Sequence, residues 1–232
     1  MRDYLFEPAP RTALAVRDSA ALYPVRRIYC VGRNYAAHAR EMGHDPDREA
    51  PFFFQKNPDD LNPTGRFPYP PLSQDVHFEI ELVAALGPSL AGHSGQIGAA
   101  DAMAHVWGYA VGLDMTRRDL QGQMKKAGRP WEIGKAFAAS APIGPLVPAS
   151  EIGHPTTGAV TLDVNGERRQ EGDLSELIWS IPEIIEHLSA LFTLAPGDLI
   201  FTGTPAGVGA IQRGDRMVGR VAGVGELTVE VV

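Results

Sequence analysis

Asp75-Val-His-Phe-Glu-Ile-Glu-Leu-Val-Ala-Ala85 is the stretch that decides the fold. Phe78, Ile80 and Leu82 alternate with His77, Glu79 and Glu81, and a period of two belongs to an extended strand, not a helix. One face is therefore apolar and the other acidic. Glu79 and Glu81 point the same way, with Cβ atoms roughly 6–7 Å apart by strand geometry. Two carboxylates that close repel unless a positive charge sits between them or one takes up a proton. A hard divalent cation such as Mg²⁺ answers the repulsion, because it takes oxygen ligands. The alternative is an edge strand whose polar face is simply wet.

Working outward, Val106-Trp-Gly-Tyr-Ala-Val-Gly-Leu-Asp114 is a second strand, closed by an acid. An acid ending an apolar run needs a partner, so Asp114 is either a third ligand beside the two glutamates or a cap for the next helix. Upstream, Arg27-Ile-Tyr-Cys-Val-Gly32 is predicted as a buried strand, Asn34 as a helix N-cap, and Tyr35–Met42 as a short helix stopped by Gly43. His38 and Glu41 lie three apart on that helix and share a face. A histidine held by a carboxylate is the usual build of a general base, although the same pair also occurs as a plain surface contact. Pro51-Phe-Phe-Phe-Gln-Lys56 is β-prone and ends in a lysine, and the proline-rich segment Asn57–Pro71 is a loop.

Downstream, Gly98–His105 is alanine-rich and predicted helical. Thr116–Gly128 is polar and basic, and helical spacing places Arg118 and Gln121 on one face. A guanidinium beside an amide suits a carboxylate ligand; a solvated charged face is the plainer explanation. Trp131-Glu-Ile-Gly-Lys135 brings a lysine into apolar surroundings, where it either works or snorkels. Asn165-Gly166 marks a type I′ hairpin, and Ser180 with Glu183 forms a capping box opening a helix from about Ile181 to Leu191. Asp198–Thr202 is a strand leading into Gly203-Thr-Pro-Ala-Gly-Val-Gly209, which matches neither a P-loop nor a dinucleotide fingerprint but can offer Thr204 and backbone N–H groups to an oxyanion. The chain closes in a hairpin of Met217–Gly223 and Glu226–Val232.

Many short strands, turn signals and a few short helices predict a β-rich α+β fold, with no regular βα alternation and no composition break. One domain over 1–232 is expected, with a short extension over 1–24 and a core over 25–232. The 232 residues carry a net charge of −7, which argues against nucleic acid or an anionic membrane as partner. Cys30 is the single cysteine, so no internal disulfide and no Cys/His zinc spacing is expected. No signal peptide and no bilayer-spanning run is evident, and cytoplasm is the default.

Taken together and in order, these segments resemble the fumarylacetoacetate hydrolase family. The resemblance runs from Arg27 to Val232 and rests on Val31-Gly-Arg-Asn-Tyr-Ala-Ala-His38 with Glu41, Phe54-Gln-Lys56, His77-Phe-Glu-Ile-Glu81, Gly108–Asp119, Lys135 in Trp-Glu-Ile-Gly-Lys, the Val-Asn-Gly-Glu hairpin and Gly197–Pro205. One departure is Asn-Pro-Asp-Asp after Lys56, where many relatives carry Pro directly after the lysine. The length and the Gly-Arg-Asn-Tyr motif are most similar to the short members, acylpyruvases and fumarylpyruvate hydrolases.

The resemblance implies a mixed β-sandwich roll, usually a homodimer. It implies Mg²⁺ or Mn²⁺ (Ca²⁺ also fitting) on Glu79, Glu81 and Asp114, with His38 and Glu41 as the water-activating pair and Lys135 as the active-site lysine. Arg33, Lys56, Arg118, Gln121 and Thr204 fall where a small anionic 2-oxo acid is held. The implied reaction is hydrolytic C–C cleavage of a 3-acylpyruvate, best matched by fumarylpyruvate going to fumarate and pyruvate, as in aromatic-compound degradation. Isomerase, decarboxylase or oxaloacetate tautomerase chemistry on a related acid stays open, and product analysis separates them. A non-catalytic small-acid binding protein is the alternative of another class, marked by tight binding without consumption.

Overall fold

The computed structural model describes residues 4–41 and 49–232. Two sheets enclose the main core. The six-stranded sheet runs Val147–Pro148, Val106–Leu113, Ile80–Leu86, Asp198–Phe201, Arg27–Gly32, Phe52–Lys56. Its pairings are antiparallel except that between Asp198–Phe201 and Arg27–Gly32. The five-stranded sheet runs Glu167–Asp173, Ala159–Val164, Arg216–Val221, Gly225–Val231, Arg66–Phe67. Short helices fill the corners, so the class is α+β and strand-rich, as expected.

The stretch from Asp75 differs from expectation in one way. It forms two strands. Val76–Phe78 pairs with Thr116–Arg117 and Gly209–Ala210 in a separate small sheet; the chain then passes through Glu79 and joins the six-stranded sheet as Ile80–Leu86. The two-residue alternation persists across the junction. Ile80, Leu82, Ala84 and Leu86 enter the main core beside Leu162 and Val229, while Val83 and Ala85 join a second cluster with Cys30 and Phe201. Fully burying each large aliphatic side chain here contributes about 1.5–3 kcal/mol. The acidic face is not a wet edge: Glu79 is 5% and Glu81 2% exposed. Buried carboxylates cost several kcal/mol unless paired, so the fold must supply them with partners.

Asn34 is not a helix cap. The helix is Ala36–Glu41, and the fully buried Asn34 amide accepts from the Trp179 N–H at 2.8 Å and donates to the carbonyls of Trp179 and Thr202 at 2.9 and 2.8 Å. Backbone groups far along the chain claimed this side chain. Met42 and the Gly43 stop lie outside the described residues, as does most of the Asp45–Ala50 loop. Gly98–His105 divides into an α-helix over Ala99–Ala102 and a 3₁₀ turn over Met103–His105. The Asn57–Asp60 departure forms a 3₁₀ turn in which the Asp60 carboxylate accepts the Asn57 N–H at 2.8 Å. Asn165 and Gly166 both take positive φ, 53° and 84°, as a type I′ turn requires. Near the N-terminus, Ala13–Ala15 pairs with Leu22–Pro24, and Leu14 and Tyr23 enter the second cluster.

Candidate metal centre and active cleft

Glu79 occupies the junction between two strands, and Asp114 the position after Leu113 in the neighbouring strand. The Asp114 N–H donates to the Glu79 carbonyl at 2.8 Å. Glu81 lies opposite Gly112 in the same ladder. Pairing register thus gathers the three acids, and their ligand oxygens lie within 4.8 Å of one another.

Cations surround the cluster. Lys135 Nζ donates to Glu79 Oε2 and Asp114 Oδ2, each at 2.7 Å. The Arg118 guanidinium donates to Glu79 Oε1 at 2.5 Å, and Gly203 N–H donates to Glu81 Oε2 at 2.8 Å. Gly203 has φ +102°, and a Cβ there would press on Asn34, so only glycine brings this N–H to the carboxylate. Burial alone would raise the Glu79 carboxyl, but Lys135, Arg118 and His38 outweigh it and hold it well below the usual range. Glu81 goes the other way, pushed well up by burial and then by the charges of Asp114 and Glu79. Burial depresses Lys135, yet Asp114 and Glu79 more than restore it and the ammonium is favoured.

The acids fit a hard divalent cation. Asp114 Oδ1 is buried without a hydrogen-bond donor, although Lys56 Nζ lies 2.8 Å away, off the bonding direction. A cation shared by the three would satisfy that oxygen and relieve the like-charge pressure on Glu81.

Around this centre opens a cleft lined by Arg33, His38, Arg118, Gln121, Lys135 and Thr204, together with aromatic side chains. His38 Nδ1 lies 3.2 Å from Glu41 Oε2, and the Glu41 carboxylate accepts the Gly207 N–H at 3.2 Å. The helix is thereby tied to the glycine-rich loop, and among the described residues no partner takes the other ring nitrogen of His38. Arg118 donates to Gln121 Oε1 at 2.7 Å, as their helical spacing predicted. Thr204 is buried, and its hydroxyl accepts from Gln170 Nε2 at 2.8 Å.

Lys56 differs from expectation. It does not line the cleft: its fully buried ammonium sits beside Asp114 and donates to the carbonyls of Lys135 and Met115 and to Ser140 Oγ. Three protein oxygens and a carboxylate absorb its charge, so it supports Asp114.

Two groups of residues escaped the sequence. Gln170 is fully buried and donates to Thr204 Oγ1 and the Pro205 carbonyl while accepting the Ile80 N–H at 3.0 Å. It ties the strand between the two glutamates to the loop carrying Thr204. Gln170 is the one buried residue of Glu167–Asp173, a strand whose sequence has no apolar alternation to mark it as inward, and nothing in the sequence says what it meets. Phe52, Phe54 and Trp131 form the cleft's aromatic wall, with Trp131 edge-on to Phe52 at 5.3 Å; β propensity alone explained Phe52 and Phe54.

Residues 27–232 match the model of the fumarylacetoacetate (FAA) hydrolase C-terminal family. A crystal structure of fumarylpyruvate hydrolase from Pseudomonas aeruginosa in complex with Mn²⁺ and pyruvate is 56% identical, covers 99% of each chain and superposes with a TM-score of 0.94. Fumarylpyruvate hydrolase from Ralstonia sp is 41% identical over 82% of this chain and 98% of its own. Oxaloacetate tautomerase from Escherichia coli (strain K12) is 40% identical over 84% of this chain and 88% of its own.

Proposed function

The chain belongs to the fumarylacetoacetate hydrolase family, and from that premise we propose that it is a metal-dependent hydrolase of 3-acylpyruvates, with fumarylpyruvate the preferred substrate. The observation that carries the proposal is the placement of the hydrogen-bonded His38–Glu41 pair in the same cleft as the acidic triad. A triad alone serves several reactions on 2-oxo acids; a positioned base beside it equips the site to activate water.

Glu79, Glu81 and Asp114 would hold the cation, which when bound supplies Lewis acidity at the 2-oxo end of the substrate. Arg118 and Gln121 bind the adjoining carboxylate and fix that end against the triad. His38 takes a proton from water, and Glu41 steadies the imidazolium and its tautomer. The hydroxide attacks the distal carbonyl carbon. Lys135 and Thr204 face the oxygen on which negative charge then gathers. The bond between that carbon and C3 breaks, its electron pair leaves on C3 as a pyruvate enolate, and the His38 imidazolium returns the proton. Acid and pyruvate result, with one water consumed. The proposal includes a homodimer, testable by light scattering.

A second reading has support from the tautomerase relative: the same base could move a proton between keto and enol forms of oxaloacetate without cleaving a bond. The test is pyruvate release from acetylpyruvate and fumarylpyruvate, with Mg²⁺ and then with EDTA. Metal-dependent pyruvate supports hydrolysis. Substrate absorbance that changes without pyruvate supports tautomerisation.

A further inference from the structure

The cleft has a second positive pole that the chemistry at the triad leaves unused. Arg33 follows the strand Arg27–Gly32 in a left-handed backbone conformation, φ 57°, a strained setting for any residue but glycine that surrounding packing must hold. Its guanidinium carbon lies 5.1 Å from the centre of the Phe52 ring. Phe52 in turn covers Gly32 so closely that a Cβ there would collide with the ring, and Trp131 braces it edge-on, at 85°. Arg33 is thus supported by an aromatic platform at the wall of the cleft.

Its charge is held in no ion pair among the described residues, and Glu49 acts on it only at longer range. Lys125 lines the same cleft and is depressed by burial and then by the like charges of Arg33 and Arg118, so these three cations and Lys135 share one opening. Arg118 is matched by Glu79 at 2.5 Å; Arg33 is not matched. At the centre, Glu79 is bridged by Lys135 and Arg118 and Asp114 by Lys56 and Lys135, while Glu81 makes no ion pair among the described residues. A divalent cation would leave the cleft more positive still, and an anion with charge at both ends complements it.

We propose that Arg33, with Lys125 beside it, binds a second carboxylate of the substrate, at the end remote from the carboxylate held by Arg118 and Gln121, and so makes the enzyme selective for dicarboxylic substrates. The proposal rests on the acylpyruvate reading for the direction in which the substrate lies. Phe52, Phe54 and Trp131 line the same cleft and offer aromatic surface to a flat, conjugated chain. Arg33 is then a specificity-determining residue, and the monocarboxylic acylpyruvates are its excluded competitors.

The experiment is calorimetric titration of the Mn²⁺-loaded enzyme with 2-oxoheptanedioate and 2-oxoheptanoate. These differ only in the terminal carboxylate, and neither has the second carbonyl that cleavage needs. The diacid should bind at least about tenfold more tightly, as one charge-assisted contact supplies. In Arg33→Met that ratio should fall to near unity, and Arg33→Lys should recover part of it. A variant that fails to fold loses both ligands together, which the ratio detects; Arg33→Lys then decides, since its diacid preference should be smaller than the wild type's. Equal affinities in the wild type, or a full preference that survives substitution, would overturn the proposal. Turnover of acylpyruvates is scored separately: absent turnover with an intact diacid preference sinks the hydrolase and leaves the subsite standing.

Discussion

Asp114 donates its backbone N–H to the carbonyl of Glu79 at 2.8 Å, and the side chains of the same two residues share the Lys135 ammonium. The bond closes the gap where the chain leaves one small sheet and enters the large one. Backbone pairing, not side-chain adjustment, therefore brings two carboxylates together. A site built this way is rigid before any ligand arrives, which is what positioning a small acid requires.

The first prediction concerns the ligands. Glu79→Gln and Asp114→Asn each remove a charged oxygen from the triad, and metal affinity and turnover should fall together, by about tenfold or more. Mn²⁺ titration beside a turnover assay checks it. Turnover that falls while Mn²⁺ affinity stays intact would show that these acids do not hold the metal.

His38 should separate those two properties. His38→Ala removes the base but no ligand, so turnover should drop by about 10²–10⁴ while Mn²⁺ still binds. Glu41→Gln should cost less, because it keeps an oxygen toward the imidazole and loses only the charge. Full activity in His38→Ala would move the chemistry to another group.

Gln170 is a positioning residue and should report as one. Gln170→Leu strands the Ile80 N–H and the Pro205 carbonyl, costing about 1–3 kcal/mol of stability per unsatisfied group. Gln170→Glu keeps an acceptor for Ile80 but loses the donors to Thr204 and Pro205. It should lower kcat more than it raises KM, since the loop that carries Thr204 faces charge formed during the reaction. Equal proportional losses in kcat and in melting temperature across both variants would leave Gln170 a plain core residue.

A pH dependence away from the cleft follows from Asp163. Hydrogen bonding from Arg168, reinforced by Arg220, holds its carboxyl below the ordinary value despite some burial. A depressed carboxyl stabilises the fold above its unfolded-state pKa and loses that contribution as pH falls through the folded-state value. Asp163→Asn should therefore lower the melting temperature near neutral pH, and that difference should shrink steadily as the pH falls below the ordinary aspartate value. A difference that stays the same across that range would assign the effect to packing.

Much of the site was legible because acids and bases advertise themselves by spacing. The alternation around Glu79 and Glu81, the three-residue step from His38 to Glu41 and that from Arg118 to Gln121 all carry local geometry. Asp114 was ambiguous between ligand and cap, since only strand pairing decides it. Asn34 and Lys56 were assigned the wrong partners for a common reason: each reaches groups far along the chain, Trp179 and Thr202 for one, Asp114 and Lys135 for the other. Local sequence holds no trace of such contacts. The split of one strand into two at Glu79 was hidden as well, because alternation continues unbroken while the pairing partners change.

The most direct measurement is cleavage of fumarylpyruvate by the Mn²⁺-loaded protein in water enriched in heavy oxygen, with both products weighed by mass spectrometry. Hydrolysis by activated water places one heavy oxygen in the new fumarate carboxylate and yields pyruvate in equal amount. Fumarylpyruvate left intact, while oxaloacetate is interconverted between keto and enol forms, would contradict hydrolysis and assign the same residues to proton transfer alone.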